Sequence, residues 1–139
     1  MPAISFFEEG ICYKLKDKNN VKRWIKAAIT SEGYKLDQLT YIFCSDPYLL
    51  KINVEYLDHD TYTDIITFDN SETERVISGD IFISIDRIKE NAAKFNQSVI
   101  DELHRVIIHG ALHLLGYKDK TPADKQKMTE KEDYYLAKR

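Results

Sequence analysis

His109 and His113 stand four residues apart in the run HGALHLLGYKD (109–119), which ends on Asp119. They are two of the chain's four histidines. Four residues make a little more than one helical turn, so on a helix both imidazoles look the same way and their ring nitrogens can meet on one ion. Helical His-x-x-x-His is the local half of many zinc sites. A third donor must come from beyond the helix. Gly116 lets the chain reverse, Asp119 follows it, and a carboxylate oxygen is an acceptable zinc ligand. Three protein ligands leave one coordination position open, which separates a catalytic site from a structural one. The same residues also admit a plainer reading, two imidazoles on a buried helix with ordinary hydrogen bonds. A peptidase of the His-Glu-x-x-His kind is disfavoured, because Gly110 occupies the place of its general base and Glu102 lies almost two turns earlier.

The elements that must position these residues follow from the apolar pattern. Residues 98–115 predict a helix that is apolar around most of its circumference through Leu103, Val106, Ile107, Ala111 and Leu114. A narrow polar stripe of Glu102, Arg105, His109 and His113 interrupts it. Ser98-x-x-Asp101 resembles a capping box, and Gly116 suits the left-handed position that ends a helix. Upstream, ISFFEE (4–9) and ICYKL (11–15) predict two short strands around Gly10. Val21, Trp24, Ile25, Ala28 and Ile29 then fall at helical spacing and stop at Gly33. LTYIFCS (39–45) predicts a strand. Asp46-Pro47 opens a helix ending near Asp58. TDIITF (63–68) and RVISGDIFISI (75–85) predict a hairpin, followed by a helix over Ile88–Phe95. Thr121-Pro122-x-Asp124 starts the last helix, most of whose surface reads as solvated. The fold class expected is α+β, a small mixed β-sheet packed with helices, with the His-x-x-x-His helix buried at its centre.

Composition narrows the function classes. A chain of 139 residues with no repeat or linker predicts one domain spanning 1–139. No apolar run reaches the ~20 residues of a membrane span, and the N-terminus lacks a signal-peptide pattern, so a cytoplasmic protein is expected. A formal net charge of −3 argues against coating nucleic acid through global charge, although it leaves room for a local basic patch. Cys12 and Cys44 lie in apolar, strand-like runs and predict buried free thiols. Tyr13, Trp24, Tyr41 and Phe43 read as core rather than as base-stacking platforms.

Three stretches taken together resemble one family. His109, Gly110, Leu112, His113, Leu114, Gly116 and Tyr117 are in register with the signature H-G-x-L-H-L-x-G-Y-D-H of the YbeY family, the rRNA maturation endoribonucleases. Asn53, Tyr56, Asp60, Thr63, Asp64 and Phe68 are similar to its N-x-x-Y-R-x-x-D-x-x-T-D-V-L-S-F, and Gly79-Asp80-Ile81 to its G-D-I strand. The resemblance implies a metal-dependent single-strand endoribonuclease. It would act in small-subunit rRNA processing and ribosome quality control, with precursor rRNA and the small subunit or a ribosomal protein as partners. It implies one zinc ion per chain held by His109, His113 and Asp119.

Two positions depart from the family pattern. Asp119 stands where the family has its third histidine, and this more anionic ligand should lower the Lewis acidity of the metal. Leu57 stands where the family carries arginine. A cation for the substrate phosphate must then come from elsewhere, and Arg105 and His59 are the candidate catalytic residues, with Lys118 and Lys120 flanking Asp119. Two other functions stay open at this point. One is a ribosome-assembly binding factor whose metal only fixes the fold, and the other is a metal hydrolase on a different substrate.

Overall fold

A computed structural model describes residues 3–57 and 63–139. The elements run β1 (Ile4–Glu9), α1 (Lys18–Ser31), β2 (Lys35–Cys44), α2 (Asp46–Leu57), β3 (Ile65–Asp69), β4 (Val76–Ser84), α3 (Ile85–Lys94), α4 (Val99–Leu114) and α5 (Pro122–Leu136). The four strands form one sheet in the order β1-β2-β4-β3. β2 is parallel to both β1 and β4, while β3 pairs antiparallel with β4. The fold is therefore α+β with a mixed sheet, as the pattern predicts.

Strand alternation divides the side chains between two faces. On one face Leu39, Tyr41 and Phe43 of β2 join Ile77, Ile81 and Ile83 of β4 in the main core, which α1, α3 and α4 cover. On the other face Cys44, Leu49 and Ile66 form a smaller cluster beneath α2, with Phe68 and Phe82 at its margin. Trp24, Tyr41 and Phe43 are buried in the main core and Tyr13 packs against it, in line with a structural role for all four.

Two expectations at the N-terminus need correcting. Ile11–Leu15 is not a strand: it pairs with no strand among the described residues, and only Leu15 is buried. Gly10 at φ 73° turns the chain off the sheet edge, and the alternating pattern of ICYKL reflects a segment lying across the core. Cys12 is accordingly exposed, whereas Cys44 is buried as expected. Further along, α3 begins three residues before the apolar spacing suggests, because the Ser84 hydroxyl caps it by accepting from Arg87 N–H at 3.2 Å.

Glu32, at the end of α1, ties distant segments together. Its carboxylate accepts from the Tyr117 hydroxyl at 2.5 Å, from Lys131 Nζ at 3.1 Å and from the Tyr135 hydroxyl. Burial works against its charge, but these three donors outweigh it and hold the carboxyl below the usual glutamate value. A lowered folded-state pKa means stability that is present above the unfolded value of ~4.3 and lost as pH falls through the folded value. Glu32→Gln is expected to lower stability by about 1–3 kcal/mol at pH 7, the worth of hydrogen bonds to a charged group. The gap should shrink toward pH 3, because the contribution of a carboxylate with a lowered folded-state pKa fades as pH falls below the unfolded value. Thermal melts of both proteins at the two pH values check this, and an equal gap at each would contradict it.

Candidate metal centre

α4 carries the centre, and its burial explains how it is aimed. Leu103, Ile107, Ile108 and Leu112 are fully buried. Gly110 lets the helix lie close on the hairpin, since a β-carbon there would sit 2.9 Å from Ile65 Cδ1 and 3.0 Å from Ile81 Cδ1. Ser98 caps the helix start, its hydroxyl accepting from Asp101 N–H at 3.1 Å. At the other end Gly116 takes φ 103°, Gly116 N–H donates to His113 O at 3.0 Å, and Tyr117 N–H donates to Leu112 O at 3.1 Å. This is a Schellman turn, and it reverses the chain so that Asp119 comes back over the histidines. Glu32 pins the turn through Tyr117.

His113 Nε2 lies 3.3 Å and His109 Nε2 lies 3.4 Å from the same Asp119 oxygen, Oδ2. The three residues each offer a donor atom within 4.8 Å of the others. Ligands ~2.0–2.1 Å from a tetrahedral zinc ion stand ~3.3–3.4 Å apart, so the spacing and the two-nitrogen, one-oxygen donor set fit a divalent ion of that size. The side chains are partly open to solvent, 20% for His109, 27% for His113 and 41% for Asp119, which leaves an approach from outside.

The surroundings are charged. His109 Nδ1 is 2.6 Å from Glu132 Oε2 on α5. Burial disfavours the charged His109 ring, but Glu132, with Asp119 and Asp64, outweighs it and raises its pKa. Burial, and then the charge of Asp64, also raises the pKa of the Glu102 carboxyl. Arg105, expected to be an available cation, is engaged: Nη1 is 2.8 Å from Glu132 Oε1 and Nη2 is 2.6 Å from Asp133 Oδ1. Lys118 and Lys120 are exposed on either side of Asp119. Lys127 Nζ is 5.7 Å from the Tyr117 ring centroid and adds a cation to that edge. His59, the other candidate, lies outside the described residues. His104, off the polar stripe, packs against Trp24 with ring centroids 5.5 Å apart.

Glu132 is the site-adjacent residue that the sequence reading passed over. Its signal was present, since Met128, Glu132 and Tyr135 are the buried residues of α5 and follow the spacing of one helical face. Asp80, in the stretch similar to the family's G-D-I strand, accepts from Asn70 Nδ2 at 3.1 Å across the hairpin.

A mixed-sheet α+β fold whose central helix and following turn converge two imidazoles and a carboxylate defines a class of protein that could hold a metal ion at an open surface. Comparison with known proteins makes the class specific. The profile of the family described as "Endoribonuclease YbeY" matches residues 8–139. A protein named Endoribonuclease YbeY from Cytophaga hutchinsonii is 54% identical, covering 97% of this chain and 94% of its own. One of the same name from Bacteroides thetaiotaomicron is 47% identical over 99% of both chains. A solution structure from Thermotoga maritima superposes with a TM-score of 0.67 at 28% identity, covering 96% of this chain and 86% of that one. The chain belongs to the YbeY endoribonuclease family.

Proposed function

We propose that this chain is a zinc-dependent endoribonuclease that cleaves single-stranded RNA in the maturation of small-subunit rRNA and in ribosome quality control. It would work in the cytoplasm as a single domain over residues 1–139. Membership of an endoribonuclease family supports RNA as substrate. The observation that carries the reading is the convergence of His109 Nε2, His113 Nε2 and Asp119 Oδ2 at 3.3–3.4 Å on an open surface. No described helix is long and apolar enough to cross a membrane.

One zinc ion held by His109, His113 and Asp119 would supply Lewis acidity to the scissile phosphate. The rest of the work falls to the chain. Lys118 and Lys120 draw backbone phosphates to the rim, a local attraction that a net charge of −3 does not provide globally. Arg105, bound to Glu132 and Asp133, acts on the centre through Glu132 rather than by meeting a phosphate. With little global attraction for free RNA, a ribosomal partner on the small subunit would bring the enzyme to its substrate. The test is cleavage of a single-stranded RNA by purified protein. Activity should disappear with a chelator and return with added zinc, whereas cleavage indifferent to the chelator would remove the metal from the reaction.

One observation favours a second reading. Leu57, at the end of α2, cannot hold a phosphate, which suits a ribosome-assembly factor whose metal serves the fold. The nuclease reading instead gives that task partly to His59. Activity should then fall as His59 loses its proton, and His59→Gln should flatten that limb of the pH profile. Superimposable profiles would remove His59 from catalysis.

A further inference from the structure

We infer that Glu132 is a positioning residue of the metal centre: clamped by Arg105, its carboxylate fixes the tautomer and orientation of His109, so that Nε2 is the nitrogen presented to the ion. This rests on the reading that His109, His113 and Asp119 hold a divalent cation.

The two ring nitrogens of His109 are committed in opposite directions. Nδ1 is 2.6 Å from Glu132 Oε2, while Nε2 faces Asp119 Oδ2 at 3.4 Å. An ionised carboxylate can only accept hydrogen bonds, so Nδ1 carries the hydrogen and the Nε2 lone pair is left for a metal. The ring is thereby held in the one tautomer that can ligate at Nε2. Histidine ligands commonly donate their second nitrogen to a carboxylate in this way, and the added charge makes the imidazole a stronger ligand.

Glu132 is itself built in. Its side chain is only 8% exposed, and a carboxylate so buried needs a compensating cation. Arg105 provides it, with Nη1 at 2.8 Å from Oε1 and Nη2 at 2.6 Å from Asp133 Oδ1. The guanidinium thus grips two successive residues of α5 and prevents Glu132 from swinging away. Arg105 and His109 are one helical turn apart on the polar stripe of α4, and both reach the same carboxylate, one through each oxygen. A salt bridge serving only to dock α5 would not require the second oxygen to lie on a metal-ligand imidazole.

The experiment compares wild type, Glu132→Gln and Glu132→Ala in two measurements. In the first, nitrogen-15 correlation spectra of the histidine rings are recorded on metal-free protein at alkaline pH. His109 of the wild type should be the Nδ1–H tautomer, and Glu132→Ala should give a mixture. In the second, zinc dissociation constants are measured against a competing chelator. Affinity should fall about 10–100-fold in Glu132→Ala. It should fall less in Glu132→Gln, whose side-chain oxygen still accepts from Nδ1 without the charge. If Glu132→Ala does not fold, the wild-type spectrum and the Gln variant still decide. An Nε2–H tautomer in the wild type would overturn the inference, as would equal zinc affinity in all three proteins. A wild type that binds no zinc would overturn the centre and this inference with it. Zinc binding that ignores Glu132 would overturn the inference alone.

Discussion

Replacement of His113 by alanine is expected to take RNA cleavage down by about 10³-fold or more while the folded state survives. The first half follows from the donor set. His113 and His109 flank the same Asp119 oxygen at 3.3 and 3.4 Å, and removing one imidazole leaves too few ligands for tight binding. The charge stabilisation lost with the ion amounts to several kcal/mol, which converts to that loss of rate. The second half follows from the core. Leu103, Ile107, Ile108 and Leu112 of the same helix are fully buried, and each such side chain contributes roughly 1.5–3 kcal/mol independently of any ion. His113 itself is 27% exposed, so its loss opens no sealed cavity. Cleavage assays beside circular dichroism and thermal melts check both halves. If chelation or His113→Ala unfolds the protein at room temperature, the metal is structural and the assembly-factor reading moves ahead.

Gly79→Ala is expected to be the most damaging of the small substitutions near the centre. A β-carbon at Gly79 would stand 2.6 Å from the Phe68 carbonyl oxygen and 3.0 Å from Leu114 Cδ1. The carbonyl belongs to the paired strand β3 and cannot swing aside, so the strands must part. Overpacking of this kind costs about 1–3 kcal/mol, a fall of roughly 3–10 °C in Tm for a domain this size. Gly110→Ala meets side chains instead of backbone: the end of Ile65 at Cδ1 (2.9 Å), which can shift, and the stiffer, buried Ile81 at Cδ1 (3.0 Å) and Cγ2 (3.1 Å). Alanine also gains ~1 kcal/mol of helix propensity over glycine, which offsets part of the crowding, so its effect should be smaller. Melts that reverse the order would show that α4, not the hairpin, is the tightly packed partner.

The sequence made the centre more legible than its supports. Ser98, Gly116 and the apolar circumference of α4 are local signals, and the structure uses each at the expected position. Asp119 was readable for the same reason, because a single glycine turn separates it from the histidines. The ICYKL stretch misled because alternation records burial and not pairing: Leu15 faces the core, yet no strand lies beside it among the described residues. Ile85 looked like the end of a strand because buried strands and buried helix starts share an apolar run. Glu132 was hidden by its own chemistry. A glutamate among lysines and other acids reads as solvated, and its place on the face of Met128 and Tyr135 is the one local sign that it is buried.

The centre's donors come from α4 and the turn just after it, between residues 109 and 119. The ring of chain that an ion closes there is short, and most of it is already ordered as helix. Closing a short, ordered ring removes little conformational freedom from the unfolded chain, in contrast to a clip that joins remote segments. An ion held there would therefore not be expected to staple the sheet together. With an ion bound there, exchanging Asp119 for histidine would be expected to retune the chemistry and leave the architecture in place.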